Sequence, residues 1–129
     1  MATYDVGVNE TYVHGKDSVI VRNFLDGIKG GVVLDTTDFT DEFVQCGHII
    51  IKGTDDDSYK PLPVSDGAYS ALEDGYEYAG VCGTTVPVDE PFTSVVTAGE
   101  INENAVPYSV DDIKSDLIAA LPNIRWAHD

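Results

Sequence analysis

Residues 76 to 108, YEYAGVCGTTVPVDEPFTSVVTAGEINENAVPY, constrain the fold more than any other stretch. Two apolar, β-branched runs, each ending in small residues, are joined by an acidic proline loop that carries no catalytic group. β-Branched and aromatic side chains suit a pleated, half-buried surface, and glycine and proline punctuate it. The stretch predicts a β-rich body that works through its surface rather than through chemistry.

The same alternation of short β-prone runs and breakers extends upstream. Val19 to Phe24, VIVRNF, predicts a short strand. Gly27, Gly30 and Gly31 break the chain before VVL at 32 to 34. Phe43 to Lys52, FVQCGHIIIK, reads as a strand bent at Gly47. In YKPLPV at 59 to 64, Pro61 and Pro63 lack the N–H that a central ladder position needs, so this piece is expected at a sheet edge. Tyr76 to Cys82 and Thr93 to Thr97 supply two further strands, with Gly80, Gly83 and Gly99 expected in tight turns near their ends.

One helix is expected, over VDDIKSDLIAAL at 110 to 121. Ser109 is placed to cap an orphan amide, Asp111 and Asp112 meet the positive end of the dipole, and Val110, Ile113, Leu117 and Leu121 share a face. Pro122 ends it, and Ile124 and Trp126 alternate as a last short strand or packed tail. The fold class is therefore α+β: a small sandwich or barrel-like β-rich body with one C-terminal helix. Residues 31 to 129 form this body.

Residues 1 to 30 read as an N-terminal arm with a short strand. The first eighteen mix polar residues, glycine and two tyrosines without a sustained period, which suits an extended segment ordered against something else. Charge marks the same boundary. The chain carries 23 acidic and seven basic side chains, a formal charge of −16, yet residues 1 to 30 hold four acids and three bases, a net −1. Such a charge repels phosphate backbones and anionic lipid, so neither nucleic acid nor a membrane is an expected partner. No basic N-terminus precedes a long apolar run, so no signal peptide or membrane span is expected either.

With 129 residues and 43% hydrophobic content, one domain can bury a core without disulfides or metals. Cys46 and Cys82, the two cysteines, sit singly in apolar runs and read as buried thiols. Asp55, Asp56 and Asp57 lack the alternate spacing and terminal bidentate acid of an EF-hand loop. Cys46 and His48 fall on one side of a strand, as a nucleophile and base could. No third orienting group stands nearby, so a packed thiol and a satisfied imidazole are expected. DGIKGG and GVCGTT lack the spacing of a phosphate cradle. No enzyme activity, cofactor or metal is expected. The seven tyrosines could line a carbohydrate or protein contact, with strand-face packing the plainer role for most.

The order of pieces CGHIIIKGTDDDSYKPLPV, GYEYAGVCGTTVP, TSVVTAGEINENAVPY and IKSDLIAALPNIRW resembles the head decoration proteins of tailed phages, the lambda-type capsid-stabilising family and its prophage relatives. The matching pieces are Cys46 to Ile50, Ala79 to Val81, Val95 to Ile101 and Asp111 to Leu121, within residues 43 to 126. The resemblance implies a small β-rich α+β body that assembles as a homotrimer. It implies a place on the outer face of an expanded capsid, binding the major capsid protein and clamping neighbouring capsomers, with an N-terminal arm adding to the contact.

The arm departs from the family pattern, being longer and holding its own strand-like VIVRNF. Three destinations are open to it: the capsid, a neighbouring subunit, or the body itself. Val19, Val21, Phe24 and Leu25 are the candidate capsid or intersubunit contacts, and removal of residues 1 to 25 is expected to leave a folded body. The alternative reading is the base of a head or tail fibre, or a glycan-binding receptor module, with a head fibre protein as a further candidate partner.

Overall fold

The computed structural model describes residues 17–28, 30–55 and 57–127. Within it the chain is an α+β, β-rich body with one C-terminal helix, as the sequence predicts. The first sixteen residues of the expected arm lie outside the described residues.

A six-stranded sheet organises the molecule. Strand β1 (Val21–Gly27) lies at one edge, following a single helical turn, α1 (Asp17–Ile20). Two short ribbons branch from the sheet: β2 (Val32–Val33) pairs with β10 (Phe92–Thr93), and β3 (Phe43–Val44) with β9 (Val86–Pro87). The sheet itself continues with β4 (Ile49–Gly53), β5 (Tyr59–Pro61), β8 (Tyr76–Cys82) and β11 (Val95–Asn102), in the order β1-β11-β8-β4-β5. A hairpin of β6 (Val64–Ser65) and β7 (Ala68–Tyr69) precedes β8. After helix α2 (Lys114–Ala120), β12 (Ile124–Ala127) returns parallel to β11, pairing Gly99 with Ile124 through Asn102 with Ala127.

The three isoleucines of β4 show why this sheet forms. All are fully buried, with Ile49 and Ile51 in one apolar cluster and Ile50 in the other. Successive side chains of a strand point to opposite faces, so a strand apolar at every position needs cover on both sides. One face is covered by Leu117 and Leu121 of the helical region, with Ile20, Val110 and Ile124. The other is covered by Leu34 and Val44, with Val86 packed alongside, all from the two ribbons and their continuations. Val81 and Cys82 on β8, and Val96 and Val95 on β11, divide between the faces in the same way.

The proline segment takes the expected edge. Tyr59–Pro61 pairs only with β4 in the sheet, Pro61 opposite Ile50. The bend in FVQCGHIIIK is a true break: Gly47, at φ 92°, separates β3 from β4, a conformation that costs a side-chain-bearing residue 1 to 2 kcal/mol or so.

Two expectations change. Gly80 and Gly99 lie inside β8 and β11, not in turns, because a Cβ on Gly80 would collide with the Val96 carbonyl and one on Gly99 with the Asn23 carbonyl. They let neighbouring backbones approach. The helix also begins at Lys114, after a turn at 111 to 113. The Ser109 hydroxyl accepts from the Asp111 amide at 3.2 Å and so caps this turn, while no side chain caps the helix itself.

The strand expected in the arm is part of the body. β1 pairs with β11 from Val21 opposite Ile101 to Gly27 opposite Val96, and Ile20 is 3% exposed within the first cluster. Deleting residues 1 to 25 therefore removes a core side chain and most of a sheet strand, so the structure argues for a destabilised body where the sequence suggested an intact one.

Candidate interaction surface

The four candidate contact residues divide by position along the edge. Val19, Phe24 and Leu25 are exposed, at 51%, 52% and 68%, whereas Val21 is half-buried and packs against the first cluster. Within β1, every residue from Arg22 to Asp26 is exposed. A sheet strand with one covered face shows alternation, so this pattern means that β1 extends past the layers covering β4 and β8.

The ladder beside β1 continues beyond it. The Ile28 amide donates to the Val95 carbonyl at 3.0 Å, Val32 and Val33 pair with Thr93 and Phe92, and the Leu34 amide donates to the Pro91 carbonyl at 3.0 Å. Segment 21–34 thus runs antiparallel to segment 91–101, with a glycine turn interrupting it. Val33 and Phe92 face each other as register partners and are 65% and 59% exposed. Sequence reasoning missed both. Val33 sits between two inward valine and leucine neighbours, and strand alternation was the available signal that it points outward; Phe92 was hidden in an acidic proline loop.

Three register shifts occur within the seven residues of β1, between Val21 and Asn23, Phe24 and Asp26, and Asp26 and Gly27. Bulges twist a strand and spoil the regular row of amides that another strand could use. The edge therefore offers side chains better than it offers backbone. Arg22 lies 3.7 Å from Glu100, and Arg125 of β12 pairs with the same carboxylate. Two guanidinium groups share one acid at the Val21 end of β1.

The chemical candidates fold into packing roles. His48 is buried, and its Nε2 donates to the Leu62 carbonyl at 2.9 Å, the orientation a carbonyl partner requires. The rings of Phe39, Tyr69 and Tyr108 meet it edge-on at 5.2, 5.1 and 5.8 Å. Burial pushes its pKa down to about 4, so the ring is neutral. The buried Cys46 thiol points to the Gly83 carbonyl, 3.5 Å away. Asp56 lies outside the described residues, and Asp57 pairs with Lys52 at 3.4 Å. Among the described residues, no group of three or more His, Cys, Asp or Glu side chains is placed to hold a metal.

The five described tyrosines, at 59, 69, 76, 78 and 108, are all half-buried. Tyr69 accepts from the Ile49 amide at 3.1 Å, Tyr76 lies under the Lys60 ammonium at 4.4 Å, and Tyr108 donates to Asp41 at 2.6 Å. Their main service is to the body. A groove of about 590 Å³ does open beside Tyr78, between Leu72 and Ile113, with Asp112 and Asp116 on its helical side. No described helix is long and apolar enough to cross a membrane.

No family model, curated protein or solved structure matches the chain. The likeness to decoration proteins thus rests on the short glycine-centred motifs of the sequence.

Proposed function

We propose that this chain is a structural virion protein, a decoration protein that binds the outer surface of a phage capsid as a homotrimer and stabilises the expanded head. The observation that supports this reading best is the set of exposed apolar side chains on an otherwise strongly acidic molecule: Phe24 and Leu25 on β1, and Val33 and Phe92 on the short ribbon that follows it. Clustered exposed apolar side chains mark contact surfaces, and the near-neutral charge of this segment removes the repulsion that the acidic body would impose. A trimer repeats the contact three times, so modest affinity at each copy becomes firm retention on a shell. The major capsid protein is the partner in this reading, and the role is binding rather than chemistry.

Co-sedimentation with expanded capsids of the phage that encodes the chain tests the proposal. The protein is expected to pellet with the shells at a fixed stoichiometry and to raise the temperature at which they break. Shells that neither bind it nor gain heat resistance would overturn the reading.

A further inference from the structure

A cavity of about 140 Å³ opens between the segment after β2, the edge strand β5 and the start of β8, lined by Asp35, Asp38, Phe39, Lys60, Pro61 and Tyr76 among others. Opposite charges share this space without closing on each other. Lys60 pairs with Glu73 at 2.6 Å, outside the lining, and its ammonium lies 4.4 Å from the centre of the Tyr76 ring. No described basic side chain pairs with Asp35 or Asp38.

The walls are braced from behind. The Thr37 amide and hydroxyl both donate to Oδ1 of Asp35, at 3.1 and 2.6 Å, and these bonds hold its carboxyl below the usual range, with a smaller pull from the Lys60 charge. Phe39 rests edge-on against the buried ring of His48 at 5.2 Å. A lysine beside two acids gains by folding onto one of them. In this cavity its partner and that of Asp35 lie elsewhere, so donors and acceptors stand apart around an open space.

We propose that the cavity binds a single neutral sugar ring. A hydroxyl donates one hydrogen bond and accepts others, so a ring of hydroxyls can give to Asp35 and Asp38 while taking from Lys60. An anion meets the repulsion of both acids and of a −16 chain, and a cation meets Lys60. The space is well below the roughly 300 to 1,000 Å³ of a drug-sized site, which limits the occupant to one ring. Phe39, Pro61, Pro63 and Val64 supply an apolar wall for its C–H face. Side chains already anchored lose little freedom when the ligand enters. The site goes beyond the capsid reading and does not depend on it.

The test titrates the isotope-labelled full chain with glucose, galactose and mannose, each to tens of millimolar, and follows the amide resonances. At least one sugar is expected to give saturable shifts at Asp38, Phe39, Lys60 and Tyr76, with glycerol binding at least about tenfold more weakly because it offers hydroxyls without a ring. Asp38→Ala and Lys60→Met, each checked for the parent circular dichroism spectrum, are expected to weaken the sugar about tenfold, as loss of a hydrogen bond to a charged group does. Asp38 is exposed, so its variant reads the site even where Lys60→Met fails to fold. No saturable shift with any of the three sugars, or shifts confined to other residues, would overturn the site. Glycerol matching the hexoses, or the diamine putrescine binding there more tightly than every sugar, would overturn the sugar assignment. Affinity unchanged in Asp38→Ala and in a folded Lys60→Met would overturn the recognition described.

Discussion

The Nε2 atom of His48 sits 2.9 Å from the carbonyl oxygen of Leu62, inside a box of three aromatic rings. The pairing joins the turn before β4 to the segment after β5 and closes this end of the sheet. It also fixes a pH response. Burial lowers the pKa of His48 from 6.5 to about 4, against the weaker opposing effects of the Leu62 bond and the Asp41 charge. The unfolded chain takes up this proton first, so the stability due to the neutral ring is present above pH 6.5 and is lost as pH falls towards 4. A shift of that size corresponds to roughly 3 kcal/mol at full development. Urea unfolding at pH 7 and pH 4.5 should show a steeper acid loss in the parent than in His48→Gln; equal slopes would remove His48 as the cause.

Gly80→Ala should separate β8 from β11. The added methyl group meets the Val96 carbonyl, which is backbone and cannot swing aside. Overpacking of this kind costs about 1 to 3 kcal/mol. A midpoint of chemical unfolding within error of the parent would mean that the two strands have slack that the structure does not show.

Leu117 and Ile118 are adjacent on α2 and should respond oppositely to truncation. Leu117 is fully buried and Ile118 is 51% exposed. Leu117→Ala is expected to cost about 2 to 5 kcal/mol, and Ile118→Ala less than about 0.5 kcal/mol. Comparable losses in calorimetric stability would place the wrong face of the helix on the sheet.

The phenol of Tyr108 should ionise late. Its hydrogen bond to Asp41, then burial and the Asp41 charge, push its pKa up to about 12. Asp41→Asn removes the charged acceptor, so spectrophotometric titration should show one tyrosine moving back towards its ordinary value of 10.0. An unchanged titration curve would dissociate the two groups.

One truncation and one substitution separate the core role of this segment from its exposed edge. Deletion of residues 1 to 25 takes Ile20 out of the core and leaves β11 without most of its outer partner, so a large loss of stability is expected. The exposed-edge variant Phe24→Asp should instead keep the parent stability to within about 1 kcal/mol, because half of that ring already faces water. Thermal unfolding of both proteins checks the contrast.

Much of the sheet was legible because its signals are local. Pro61 forbids an interior ladder position whatever surrounds it, and the consecutive isoleucines of β4 demand cover on both faces. The capped helix was legible in kind, while its start was not: Ser109 has the chemistry of a cap, but its hydroxyl serves the Asp111 amide and the helix opens later at Lys114. Gly80 and Gly99 read as turn residues because close approach between strands distant in sequence leaves no local trace. The same limit hid the docking of β1. Arg22, Asn23 and Asp26 give that segment a polar, arm-like composition, and only the partner strand reveals that Ile20 and Val21 turn inward. The exposed apolar edge was half legible: Phe24 and Leu25 were picked out in the sequence, and Val33 and Phe92 needed the register of β2 on β10.

The pairing of β11 also sets an order of events during synthesis. Its neighbours come from residues 21 to 27, 76 to 82 and 124 to 127, so the strand cannot gather all of them until the last has left the ribosome. Contacts of such sequence separation fold slowly, since the loop between them must close before any bond is gained. Until then β11 lacks the strand that pairs with it from Gly99 to Asn102, and Ile101, fully buried in the finished molecule, is left on an incomplete sheet. The nascent chain therefore passes through a sticky state that the finished molecule does not have, and ribosome-bound intermediates should aggregate more readily than the released protein.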